Sequence, residues 1–90
     1  MSYTLTIHKK ASKKLLSMDV KQRHRVAQAI YKLGDSPDSL ELDTKLMQGS
    51  TANLWRMRVG DWRVIYERDD MLKIVAIEKI GSRGDIYKWT

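Results

Sequence analysis

Along the first residues of the chain, apolar Tyr3, Leu5 and Ile7 alternate with Thr4, Thr6 and His8. This is the period of two that marks a strand with one buried face. At Lys9 the period changes. Ala11, Leu15 and Met18 recur at i, i+4 and i+7, and Lys9, Lys10, Lys13 and Lys14 fall mostly off that stripe, so the spacing predicts a short amphipathic helix. Asp19, followed three residues later by Gln22, resembles a capping box for a second helix whose apolar stripe is Val26, Ala27, Ile30 and Leu33. Gly34 and Pro37 punctuate its end.

Residues 35–53, "DSPDSLELDTKLMQGSTAN", follow neither period and read as a polar connection tethered to the core by Leu40, Leu42, Leu46 and Met47. Three strand-like segments follow, near 54–59, 62–68 and 71–80. Gly60-Asp61 is a two-residue hairpin connection, and Asp69-Asp70 separates the second segment from the third. The order β-α-α-β-β-β predicts an α+β fold, a mostly antiparallel four-stranded sheet with two N-terminal helices packed on one face. Ninety residues give a single domain, 1–90.

A two-residue turn at Gly60-Asp61 fixes the hairpin register. It sets Val59 opposite Trp62, Arg58 opposite Arg63, Met57 opposite Val64, Arg56 opposite Ile65 and Trp55 opposite Tyr66. One face then carries Trp55, Met57, Val59, Trp62, Val64 and Tyr66 for the helices to cover, and the other carries Arg56, Arg58 and Arg63. Arg58 and Arg63 are like charges directly opposed, where an opposite pair would contribute roughly 0.2–1 kcal/mol. Two readings stand. Arginines on exposed strand faces are common and water screens them; alternatively, the pair holds a phosphate through charge-assisted hydrogen bonds. In "IGSRGDIYKWT", Gly81 and Gly84 bracket Arg83, suggesting a bend after which Tyr87 folds back toward the arginine face. The alternative for Tyr87 and Trp89 is an apolar tail packed on the sheet edge.

Charge sharpens this picture. The net charge is +6, and it sits toward the two ends: residues 1–32 hold eight Lys or Arg and one acid, residues 33–54 one Lys and four acids, residues 55–90 eight and six. A polyanion is the favoured partner, and Lys9, Lys10, Lys13 and Lys14 form an outward helix face able to track phosphates. The chain has no cysteine and two lone histidines, His8 and His24, so neither a disulfide nor a metal or cofactor site is expected. No apolar run approaches the roughly 20 residues of a membrane span, and "MSYTLTIHKK" lacks a signal-peptide core, which makes the expected location cytoplasmic. Cutting RNA through its own 2′-hydroxyl needs a base, donors for the charged transition state and help for the leaving oxygen. With neither histidine near the arginines in sequence, a phenol is the candidate base. Its ordinary pKa of about 10 would fall beside arginines.

At "YTLTIHKKASKKL", "LWRMRVGDWRVIYE" and "IEKIGSRGDIY" the sequence resembles the RelE group of the RelE/ParE toxin superfamily, over nearly the whole chain. The resemblance implies the RelE-like fold and a ribosome-dependent endoribonuclease that cleaves messenger RNA in the ribosomal A site. It implies a cognate antitoxin protein, the ribosome with its rRNA, and mRNA as partners, with no cofactor and no membrane. Residue by residue, Arg63 and Arg83 match arginines that bind and stabilise the scissile phosphate, and Tyr87 matches the tyrosine thought to activate the 2′-hydroxyl. Arg56 and Arg58 stand where the best-known members have lysines, and the high pKa of arginine suits them to electrostatic stabilisation rather than proton transfer. The antitoxin is expected to cover the arginine face, or to wrap the helices, with an acidic or apolar segment. Two other readings are a ParE-like inhibitor of DNA gyrase, a group that generally lacks the arginine and tyrosine set, and a catalytically silent basic domain of the same fold.

Overall fold

Hydrogen-bonded caps set both helices. The computed structural model describes residues 2–47, 49 and 53–84, beginning with β1 (Thr4–Ile7), α1 (Lys9–Ser17) and α2 (Val20–Asp35). His8 Nδ1 accepts from the Lys10 amide at 3.1 Å to start α1, and the Asp19 carboxylate accepts from the Gln22 amide at 2.8 Å to start α2, each satisfying a donor the helix leaves orphaned. α2 runs one residue past Gly34. That glycine serves contact rather than termination, since a Cβ there would meet Leu5 at 3.4 Å. Its carbonyl also accepts from the Tyr3 amide at 2.7 Å, tying the helix end to the start of β1.

The remaining elements are β2 (Asp43–Leu46), β3 (Leu54–Val59), β4 (Trp62–Asp69) and β5 (Ile74–Ser82). They form one sheet of order β1-β5-β4-β3-β2, antiparallel except where β1 runs parallel to β5. The expected α+β architecture stands, with five strands in place of four. The additional strand, "DTKL", lies within the expected polar connection and has no apolar alternation to betray it; short, charged strands of this kind suit a sheet edge. Leu42 packs on the core as expected, whereas Leu40 is fully exposed. The third expected strand begins later than 71, because Asp69 accepts from the Met71 and Leu72 amides at 3.0 and 2.9 Å and holds those residues in a turn.

One face of the sheet meets the helices. Met57, Val64, Tyr66, Val75, Ile77 and Ile80 are buried there against Ala11, Met18, Val26, Ile30 and Leu33, the stripes that the helical spacing anticipates. No described helix is long and apolar enough to cross a membrane.

Candidate functional site

The β3–β4 hairpin has the expected register throughout, from Val59 opposite Trp62 to Trp55 opposite Tyr66. Gly60 takes φ 58 in the turn, a conformation that favours glycine. On the face away from the helices, strand register aligns two rows. One row runs Asp43, Arg58, Arg63, Gly81 and the other Lys45, Arg56, Ile65, Lys79. Arg58 is exposed and Arg56 half-buried.

Arg63 departs from the picture of a solvated strand arginine. It is only 6% exposed, and Nη1 donates to the carbonyls of Gly60 at 2.9 Å and Trp62 at 3.0 Å. Neutral carbonyls orient the guanidinium without cancelling its charge, and among the described residues no carboxylate forms an ion pair with it. Gly81 opposite Arg63 on β5 adds no side chain to the row. Arg83 follows two residues later, its amide donating to the Asp61 carbonyl at 2.9 Å, so the chain after β5 is fastened beside the hairpin turn.

Arg56, Arg58 and Arg63 are thus brought onto one face, with the Arg83 backbone at its end. Tyr87, the expected base, and Trp89 lie outside the described residues. The lysines of α1 are exposed on the opposite side of the sheet; Lys14 Nζ lies 5.6 Å from the centre of the Trp62 ring, and Trp62 belongs to the helix-facing set. They therefore approach the arginines only around the hairpin tip. The tyrosine within the hairpin is no substitute base. Tyr66 is fully buried among the core residues, its hydroxyl has no hydrogen-bond partner among the described residues, and burial pushes the phenol up to about 12. The described residues include no cluster of His, Cys, Asp and Glu fit to hold a metal.

Sequence reasoning missed two arginines. Arg25, exposed on α2, rests its guanidinium against Gly60. Nothing local in the sequence signals that long-range approach. Arg68 lies on the helix-facing side of β4, 7% exposed. It grips Asp38 with two hydrogen bonds of 2.9 and 3.0 Å and Asp70 with one of 2.6 Å, its guanidinium carbon 5.3 Å from the Trp55 ring centre and 5.8 Å from that of Tyr3. The Arg68 hydrogen bonds hold both carboxyls below their ordinary range. Its parity with Trp62, Val64 and Tyr66 was the available signal.

An apolar groove lies on the other side of the sheet, lined by Leu5, Ile7, Leu15, Ala27, Ile30 and Tyr31. Exposed Leu16 and Val20 occupy the same pair of helices.

The profile of the family described as ParE toxin of type II toxin-antitoxin system, parDE, matches residues 5–87. No curated protein sequence matches. Among solved structures, a chain of the archaeal RelE-RelB complex from Pyrococcus horikoshii OT3 is 31% identical, with 94% of this chain and 99% of that chain covered and a TM-score of 0.80. A chain of the RelB-RelE antitoxin-toxin complex from Methanococcus jannaschii is 25% identical, with 93% and 96% covered and a TM-score of 0.75. The isolated E. coli RelE toxin, 16% identical with 97% and 93% covered and a TM-score of 0.72, shares the fold.

Proposed function

The chain belongs to the RelE/ParE superfamily of toxins from type II toxin-antitoxin systems, and from that premise we propose that it is a ribosome-dependent endoribonuclease that cleaves messenger RNA in the A site and so inhibits translation. The observation that carries this reading is the opposition of Arg58 and Arg63 in the hairpin, with Arg63 held by carbonyls alone among the described residues. A fixed guanidinium whose charge is not cancelled suits a developing phosphorane-like anion, because no reorganisation is needed as the charge forms.

In this mechanism the RNA 2′-oxygen attacks the adjacent phosphorus, its proton passing to the Tyr87 phenolate, and the bond from phosphorus to the 5′-oxygen breaks. The departing oxygen takes a proton from water, so that a 2′,3′-cyclic phosphate and a 5′-hydroxyl result. Arg58 and Arg63 bind the non-bridging oxygens, and Arg56 adds positive potential from the next row. Arg83 stabilises the departing oxygen by charge and hydrogen bonding. The cognate partner is an antitoxin, in keeping with the RelE-RelB complex of the Pyrococcus relative. Its apolar segment has a fitting seat in the groove between β1 and the helices, and its acidic segment a fitting target in the arginine face. The lysines Lys9, Lys10, Lys13 and Lys14 serve as a contact surface for ribosomal RNA.

A second reading, inhibition of DNA gyrase, draws on the ParE name of the matching family. A translation extract with a defined messenger, mapped for cuts with and without ribosomes, separates the two when a supercoiling assay is run in parallel. Codon-spaced cuts that vanish without ribosomes are expected. Intact messenger with inhibited gyrase would sink the nuclease reading, and intact messenger with active gyrase would mark a silent domain.

A further inference from the structure

Guanidinium groups approach Gly60 from two elements. From β4, Arg63 Nη1 donates to the Gly60 carbonyl at 2.9 Å. From α2, Arg25 lies where a side chain would begin: a Cβ on Gly60 would meet its two terminal nitrogens at 3.2 and 3.4 Å and Cζ at 3.5 Å. The missing side chain therefore serves twice, admitting the left-handed backbone of the turn and leaving a seat for Arg25. Arg58 stands opposite Arg63, and the Arg83 amide is bonded to Asp61. Arginines of α2, β3 and β4 thus stand at or beside one two-residue turn, with the backbone of Arg83 fastened to it. Among the described residues neither Arg25 nor Arg63 has a carboxylate partner, and Asp61, the acid of the turn itself, forms no ion pair.

Such convergence leaves positive charge in excess at the turn, where Asp43, opposite Arg58, and Asp61 offset it only in part. A single phosphate between Arg58 and Arg63 leaves Arg25 unanswered, because it reaches the turn from the helix layer. A ligand with charge at successive positions answers both.

We propose that Arg25 is a second phosphate-binding residue, which holds a backbone phosphate next to the one gripped by Arg58 and Arg63, so that the RNA strand crosses the hairpin tip toward α2. The inference rests on the nuclease reading for the identity of the strand, and Arg25 acts in binding, away from the reacting atoms. It is exposed on a helix whose buried stripe is Val26, Ile30 and Leu33, so its replacement leaves the core intact.

The test measures affinity for a labelled 2′-O-methyl RNA oligonucleotide, which cannot be cleaved, by fluorescence anisotropy across a salt series. Arg25→Gln is expected to weaken binding about 5–10-fold and to lower the slope of log affinity against log salt by about 0.7, the share of one phosphate contact on a single strand. Arg25→Lys is expected to restore the slope but only part of the affinity, since it keeps the charge and loses the fork. Lys73→Gln, beyond the end of β4 far from the turn, removes an equal exposed charge and is expected to change both far less. Parental affinity and slope in Arg25→Gln, an equal loss in Lys73→Gln, or no binding by the parent chain would each overturn the proposal. Because the probe is inert, a clear Arg25 effect in a chain that fails to cut messenger would refute the nuclease reading and leave the phosphate site standing.

Discussion

Arg63 and Arg68 lie on the same strand, β4, equally withdrawn from solvent and on opposite faces. Arg68 is answered in full by two carboxylates, two aromatic rings and hydrogen bonds that use most of its donors. Arg63 is answered by two carbonyls that fix its direction and leave its charge standing. Surroundings also differ. Around Arg68 stand Asp38 and Asp70, and directly across from Arg63 stands Arg58. Burial alone does not separate the two arginines; the charge of their hydrogen-bond partners does.

Four measurements bear on that contrast. The largest effect is expected for Arg63→Ala, a fall of about 10²–10³-fold in single-turnover messenger cleavage, with unfolding free energy changed by no more than about 1 kcal/mol. Stability lost in step with activity would make Arg63 a second structural arginine and erase the difference. Arg68→Ala should do the reverse, lowering the urea-unfolding free energy by about 2 kcal/mol while a folded population cuts normally. That figure lies below the 3–5 kcal/mol of a fully buried pair, because Asp38 and Asp70 reach solvent and are screened.

Acid titration tests whether charge is the source of that second effect. Asp38 and Asp70 have folded-state pKa values below their unfolded values. Their stabilisation is therefore fully present above the ordinary carboxylate pKa near 4 and is lost as pH falls through the lower folded values. The stability gap between the parent and Arg68→Ala should narrow as pH falls below about 4. A gap that stays constant would assign the role of Arg68 to its stem and ring contacts. The smallest effect is expected for Tyr66→Phe, which removes a buried hydroxyl without a partner among the described residues. Unfolding should be unchanged or harder by up to about 1 kcal/mol, with cleavage unaffected. Lost cleavage would give Tyr66 a part in the chemistry that its core-facing position argues against.

The hairpin was legible in the sequence because a two-residue turn fixes parity, and parity decides which side chain meets the core. The caps at His8 and Asp19 differ in this respect. Asp19 has the residue type and spacing of a cap, whereas His8 works through a ring nitrogen that only the backbone geometry brings into line. β2 could not be read, since its four residues carry no apolar alternation and owe their strand form to pairing with β3. Arg68 stands in the apolar parity set of β4, but a charged side chain by itself signals exposure and only the paired carboxylates make its burial tolerable. Arg25 reaches its place through the packing of α2 across the hairpin tip, an arrangement with no local signature.

The parallel pairing of β1 with β5 joins Thr4 to Ile74 and Ile7 to Ile77, so an early segment of the chain waits for a late one before the sheet can close. Contacts this distant in sequence form slowly and require almost all of the intervening chain to be present. During synthesis the nascent chain therefore carries its hairpin arginines for some time before the layer that aligns them with Arg83 exists. For a protein proposed to act on ribosomes, that order of assembly is a delay: the site cannot be complete until β5 has been made and paired with both β4 and β1.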